Sequence, residues 1–299
     1  MSSATLRTHT EEGVFVITLS RAAEYNTITP ALREELGAAI DEAEGAPEAR
    51  VILLRAEGPA FCAGYGLDWS VPAQAGERSE AGLARAEGSR VWDSVSDMRM
   101  MGRFVETYLK LWYASKPTVA AVQGWCIGGG TDMVLCADLI VAGEGATFGY
   151  PPARVWGTPT TAMWVYRMGI ERAKRYLLTG DEIPAPEAAR IGMILECVPD
   201  RDLQEHAMGL AKRMAKLPTS QLVMLKLLCN QTVENMGLAS SRQLGTLFDG
   251  IARHTQEGLD FVRRAQEISF REAVRERDDP FGDYGSGSRG RRAKKEETP

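Results

Sequence analysis

An α/β fold with a helical C-terminal region is predicted by three features of the sequence. Strand-like runs flank a helical stretch near the N-terminus, a β-branched run enters a glycine cluster around residue 128, and helical patterning dominates after residue 171. The runs VFVITLS (14–20) and RVILLRA (50–56) read as strands. Between them, ALREELGAAIDEA spaces its apolar residues for a helix. Thr29 suits its N-cap and Pro30 its first position, where the missing amide would have had no intrahelical acceptor. PTVAAVQG (117–124) is a third strand, leading through GWCIGGG into a helical TDMVLCAD and then a strand, DLIVAG. Glycine at a strand end marks a sharp turn or a close approach of the backbone to another group.

Farther on, ERAKRYLLTG ends at Gly180 and APEAARIG at Gly192, both suited to helix C-caps. Residues 203–217, 218–235 and 256–276 carry amphipathic helical spacing. Segment 69–116 interrupts the alternation: 69–89 is polar and glycine-rich, a predicted loop, and VWDSVSDMRMMGRFVETYLKLW then returns to helical spacing. These signals divide the chain into a core over 1–200, a helical region over 201–278 and a basic tail over 279–299 whose low complexity predicts disorder.

With 44% hydrophobic and 25% charged residues, the 299-residue chain has an ordinary globular composition. A net charge of -5 provides no general attraction to nucleic acid or anionic lipid, so neither is an expected partner. No apolar run is long enough to span a membrane and the N-terminus lacks a secretory core, which predicts a soluble, cytoplasmic protein. Five scattered cysteines without C-x-x-C spacing and three histidines provide poor material for a metal site, a redox pair or a Ser-His-Asp triad. No metal is expected.

PAFCAGYGLD (59–68) and KPTVAAVQGWCIGGGTDMVLCADLIVAG (116–143) together resemble the two signature blocks of the crotonase (enoyl-CoA hydratase/isomerase) superfamily. LSRAAEYNTIT, FGYPPARVWGTP and YLLTGDEIPAPEAARIGMILECVP agree in the family's order, so the resemblance covers roughly residues 10–270. It implies a spiral of ββα units and a helical trimerisation region, assembled as a homotrimer or dimer of trimers. It also implies an acyl-CoA thioester substrate, with coenzyme A entering as part of the substrate and no tightly bound cofactor.

The family's site uses two backbone N–H groups as an oxyanion hole. Carried over by motif, these are Tyr65, after Ala63 and Gly64, and Gly129, after Gly128. The chemistry suits glycine: a thioester oxyanion must come within about 2.7–3.1 Å of each amide, and a Cβ can obstruct it. Relatives that hydrate a double bond use two glutamates. The first position here is Asp132, a carboxylate one methylene shorter; it reads either as an acid/base catalyst or as a helix N-terminal acid. The second falls on Pro152 or Ala153, which transfer no proton. Thr161 stands at a position suggested for a further acid in dienoyl-CoA isomerases.

Tyr150 and Arg154 flank that gap and would either face the substrate or serve packing and ion pairing. Asp68, Asp93 and Glu106 are candidates for a replacement acid, and Trp156 for an aromatic wall. Ala23 occupies the place of a lysine that lines the coenzyme channel in relatives; Arg21, Lys226, Arg263 and Arg264 are the alternative phosphate contacts. The reading that follows is an acyl-CoA hydratase or isomerase with atypical acid/base residues. Hydrolysis or retro-Claisen cleavage is the alternative reaction, and a catalytically silent CoA-ester-binding protein the alternative class.

Overall fold

The computed structural model describes residues 4–66 and 93–284. Strands β1 (Leu6–Glu11), β2 (Val14–Leu19), β3 (Val51–Ala56), β5 (Thr118–Val122), β7 (Leu139–Gly143) and β10 (Glu196–Val198) form a six-stranded sheet in the order β1-β2-β3-β5-β7-β10. Only the β1–β2 pair is antiparallel, joined by a two-residue turn at Glu12 and Gly13, both at positive φ as such hairpins require. A second sheet orders β4 (Ala60–Cys62), β6 (Trp125–Ile127), β8 (Thr147–Gly149) and β9 (Ile183–Pro184) as β4-β6-β8-β9.

β2 is buried along its whole length, as the unbroken apolar run of a strand covered on both faces must be. Its alternate residues enter different cores. Phe15, Ile17 and Leu19 join Leu32, Leu36 and Ile40 of α1 (Pro30–Gly45) and Phe104, Tyr108 and Leu111 of α2 (Ser94–Tyr113). Val14 and Val16 instead meet Leu203, Ala207 and Ala211 of α7 (Leu203–Met214). Of the short helices, α3 (Gly129–Val134) and α6 (Ala185–Arg190) connect one sheet to the other, and α4 (Met163–Met168) and α5 (Ile170–Leu177) connect β8 to β9. Beyond α7 come α8 (Thr219–Asn235), α9 (Leu238–Arg253), α10 (Gln256–Ile268) and α11 (Phe270–Asp278).

The α1 start agrees with the sequence: Pro30 opens the helix and the Thr29 hydroxyl accepts from the Leu32 N–H at 3.1 Å. Replacing Thr29 with Ala is expected to cost about 1 kcal/mol in chemical denaturation, the usual value of such a cap.

Four features depart from the sequence reading. β1 is unpredicted because its residues are mostly exposed and polar; pairing with β2 makes it a strand. GWCIGGG contains a separate strand, β6, so the chain changes sheets there. The helix expected over 256–276 breaks at Ser269, whose φ of 130 no right-handed helix accommodates. α9 was not anticipated at all. The loop expected at 69–89, together with Asp68, lies outside the described residues, as does the chain beyond Tyr284. Residues 279–284 of the expected tail are placed, beginning with a 3-10 turn at Asp279–Phe281.

Candidate active site

The two signature segments meet. After β4, the chain pairs with Ile28: the Ile28 N–H donates to the Gly64 carbonyl and the Gly66 N–H to the Ile28 carbonyl, both at 2.8 Å. Gly64 has φ +91, and a Cβ there would fall 3.1 Å from the Ile127 carbonyl oxygen and 3.9 Å from the Gly129 nitrogen. The Gly64–Tyr65 turn therefore lies directly against the Ile127–Gly129 turn. Gly129 opens α3, so its N–H has no acceptor within that helix.

Glycine is required here partly by the protein's own packing. Gly128 turns the chain at φ 56, ψ -122, a conformation that L side chains rarely adopt. A Cβ at Gly129 would fall 2.6 Å from Tyr65 Cε2 and 2.9 Å from Ile28 Cδ1, and one at Gly130 only 2.4 Å from the Cys62 carbonyl oxygen. The Tyr65 ring lies edge-on to Phe104, centroids 5.4 Å apart, and its hydroxyl accepts from the Tyr108 hydroxyl at 3.1 Å. Burial pushes both phenols well above their ordinary pKa.

Asp132, one turn into α3, is fully buried. Its Oδ2 accepts from the Thr160 N–H and the Thr160 hydroxyl, both at 2.8 Å, and its Oδ1 from the Thr161 hydroxyl at 3.4 Å. Burial outweighs these donors and pushes the carboxyl up to about 7. Asp132 is therefore poised to hold or release a proton near neutrality, the range in which general acid/base catalysis is most effective. Thr161 serves as one of its hydrogen-bond donors.

Pro152, one of the two residues on which the second glutamate's place falls, has its Cγ 3.6 Å from where a Gly128 Cβ would stand. The Tyr150 hydroxyl donates to the Thr158 carbonyl at 2.7 Å. Arg154 turns away into ion pairs with Asp278 at 2.9 Å and Asp283 at 2.8 Å, its side chain 2% exposed and its guanidinium stacked on Phe281. That is the ion-pairing role among the two readings. Removing this cation leaves buried carboxylates uncompensated, so Arg154→Met is expected to lower unfolding free energy by about 3 kcal/mol, read by denaturant titration.

Trp156 packs against Phe261 and Phe270, centroids 4.8 and 5.9 Å away, within the cluster made by α10 and α11. Ala23 is exposed in a 3-10 turn, and Ala63 is anchored by its N–H on the Tyr25 carbonyl at 3.1 Å. Asp93 caps α2 and Glu106 is exposed, so neither enters this cluster. Lys226 is buried against Asp138 at 2.8 Å and the Leu111 and Lys116 carbonyls, which withdraws it from any phosphate role. Arg263 pairs with Asp260, and Arg264 with Glu267 and Glu276.

Sequence reasoning missed three charged residues. Arg253 of α9 grips Asp97 of α2 with two bonds of 2.9 and 2.8 Å and donates from Nε to Asp249 Oδ2 at 3.0 Å. Their signal was available: Asp249 and Arg253 are spaced i,i+4 on one helix face. LASSRQLGTLFDGIAR carries helical apolar spacing of its own.

Comparison with known proteins places these features in context. A sequence model described as Enoyl-CoA hydratase/isomerase matches residues 9–268. A crystal structure of an enoyl-CoA hydratase from Mycobacterium smegmatis superposes with a TM-score of 0.86 at 40% identity, covering 94% of this chain and 95% of that one. A "Probable enoyl-CoA hydratase" of Rhodobacter capsulatus is 34% identical over 230 residues, 76% of this chain and 81% of the relative. The 2,3-dehydroadipyl-CoA hydratase of Escherichia coli is 28% identical over 243 residues, 79% and 87% of the two chains.

Proposed function

Because this chain belongs to the enoyl-CoA hydratase/isomerase family, we propose that it adds water to an unsaturated acyl-CoA thioester bound at the Gly64–Tyr65 and Gly128–Gly130 turns. One observation carries the reading: two glycine turns from different strands abut, and a buried carboxylate with a pKa near neutrality follows one turn along the same short helix.

In this mechanism the thioester oxygen accepts from the Tyr65 and Gly129 N–H groups. Attack at the β carbon drives electron density onto that oxygen, and fixed dipoles stabilise it without reorganising as water would. Asp132 exchanges a proton with the substrate, and its burial supplies the matched pKa. Coenzyme A enters and leaves with the acyl group. No tightly bound cofactor takes part.

The assembly is a homo-oligomer, a trimer or dimer of trimers. Met224, Leu225, Leu227 and Leu228 leave α8 between 51% and 70% exposed, a surface that association would cover. No helix of the described residues is long and apolar enough to cross a membrane, and a cytoplasmic enzyme fits that description.

The test is a turnover and thermal-shift survey with enoyl-, dienoyl- and β-keto-acyl-CoAs. Loss of the conjugated thioester's ultraviolet absorbance on enoyl-CoA is expected. Coenzyme release from a β-keto ester would replace hydration with cleavage, a reading that the carboxylate-free Pro152 position favours. Binding of every ester without turnover would reduce the protein to a CoA-ester carrier.

A further inference from the structure

The two-carboxylate chemistry of hydration has one acid in this chain at Asp132 and none at positions 152–153. A second carboxylate approaches the neighbouring 157–161 segment from elsewhere. Asp249, 6% exposed, projects from α9 onto the 157–161 segment. A Cβ at Gly157 would stand 2.9 Å from Pro152 Cβ, 3.5 Å from Asp249 Oδ1 and 3.7 Å from Tyr150 Cε1. Asp249 and Pro152 thus both pack against Gly157.

The same segment contacts both acids. Thr160 and Thr161 donate to Asp132, and the Thr158 N–H bonds Asp249. α9 is seated on it closely: a Cβ at Gly245 would fall 2.6 Å from the Pro159 carbonyl oxygen, and the Thr246 hydroxyl reaches the Thr160 carbonyl at 3.3 Å. Asp249 also sits near enough to Asp132 and Tyr150 for its charge to raise the pKa of each.

We propose that Asp249 is the second catalytic carboxylate of the hydration reaction, supplied by helix α9 in place of the residue missing at 152–153. The proposal rests on the hydratase reading above. The two acids are differentiated by their surroundings. Burial raises both carboxyls, but Asp249 alone has a cation, since Arg253 donates to its Oδ2 while held by Asp97; Asp132 has only neutral donors. Pairs of carboxylates with unequal surroundings divide into acid and base.

Asp249 is therefore the base. It takes a proton from water as the oxygen forms its bond to the β carbon, and the double-bond electrons move to the α carbon and thioester oxygen. Protonated Asp132 then delivers its proton to the α carbon. The product has gained one water, and solvent exchange returns one proton from Asp249 to Asp132. Groups facing Asp249 across this space are Asp132 of α3, Asp97 of α2, Tyr65, Tyr150 and Arg253 of its own helix.

The experiment compares the full-length enzyme with Asp249→Asn and Asp249→Glu on one hydrated enoyl-CoA. D249N is expected to lose about 100-fold in kcat with KM nearly unchanged, and to lose the acid limb of its pH profile. D249E, which retains the carboxylate, recovers that limb. A D249N enzyme with the parental kcat and pH profile overturns the proposal alone. A decline accompanied by loss of thioester binding, and not reversed in D249E, makes the residue structural and overturns it too. Failure of the unsubstituted enzyme to hydrate any ester removes the hydratase reading and this inference with it.

Discussion

Asp132→Asn is expected to lower kcat about 10³-fold while leaving the protein folded and, above pH 7, more stable than the parent. The activity loss follows from chemistry: an amide neither donates a proton at the α carbon nor regains one. The stability gain follows from burial. The Asp132 carboxyl is raised from 3.8 to about 7 in the folded state because water is excluded from it. Below pH 4 the carboxyl is protonated in both folded and unfolded chains, and no charge is buried. Between pH 4 and 7 the unfolded chain ionises while the folded one retains its proton, so stability falls with pH. Above 7 the full cost is present, on the order of 4 kcal/mol at 1.36 kcal/mol per pH unit. Asn carries no charge, and its carbonyl oxygen can still accept from Thr160. Melting temperatures of D132N and parent should therefore coincide near pH 4 and diverge in favour of D132N by pH 8. A D132N enzyme of parental kcat would remove Asp132 from catalysis.

Gly129→Ala keeps the N–H but should displace the turns that carry it and the Tyr65 amide, reducing kcat by about 10²–10³-fold, as much as losing one oxyanion donor. The new methyl group has no room: Tyr65 Cε2 would be 2.6 Å away and Ile28 Cδ1 2.9 Å. Nor can the ring simply swing aside, because it is wedged on Phe104 and hydrogen-bonded to Tyr108. The strain falls on the turns that carry the Tyr65 and Gly129 amides. Because those N–H groups act on charge that develops during reaction, the loss should appear in kcat more than in KM. Overpacking also lowers stability, by about 1–3 kcal/mol. Steady-state kinetics at a temperature well below unfolding separates the two effects, and an unchanged kcat would dismiss the oxyanion role.

The sequence made the parallel sheet legible because β2, β3 and β5 are almost wholly buried and so consist mainly of apolar residues. The turn at Gly128–Gly130 was legible for a similar reason, since only glycine tolerates its torsions and its contacts. β1 and the partners of α9 were not. β1 is a polar edge strand that only its partner makes extended, and α9, though amphipathic in sequence, meets neighbours that arrive from residues 97 and 157–161.

The site divides along the same line. Residues whose proposed roles depend on backbone, Tyr65 and Gly129, stand in contiguous motifs that local sequence can express. Side-chain partners do not. Arg154 lies beside the gap in sequence yet spends its charge on Asp278 and Asp283, while Asp249 is distant in sequence yet packs, as Pro152 does, against Gly157. By itself the sequence determined the family, the sheet and the two amide-bearing turns, because those depend on torsion and local burial. Only the tertiary structure decided which residues pack around Asp132 and Asp249, because a buried charge is located by the elements packed around it.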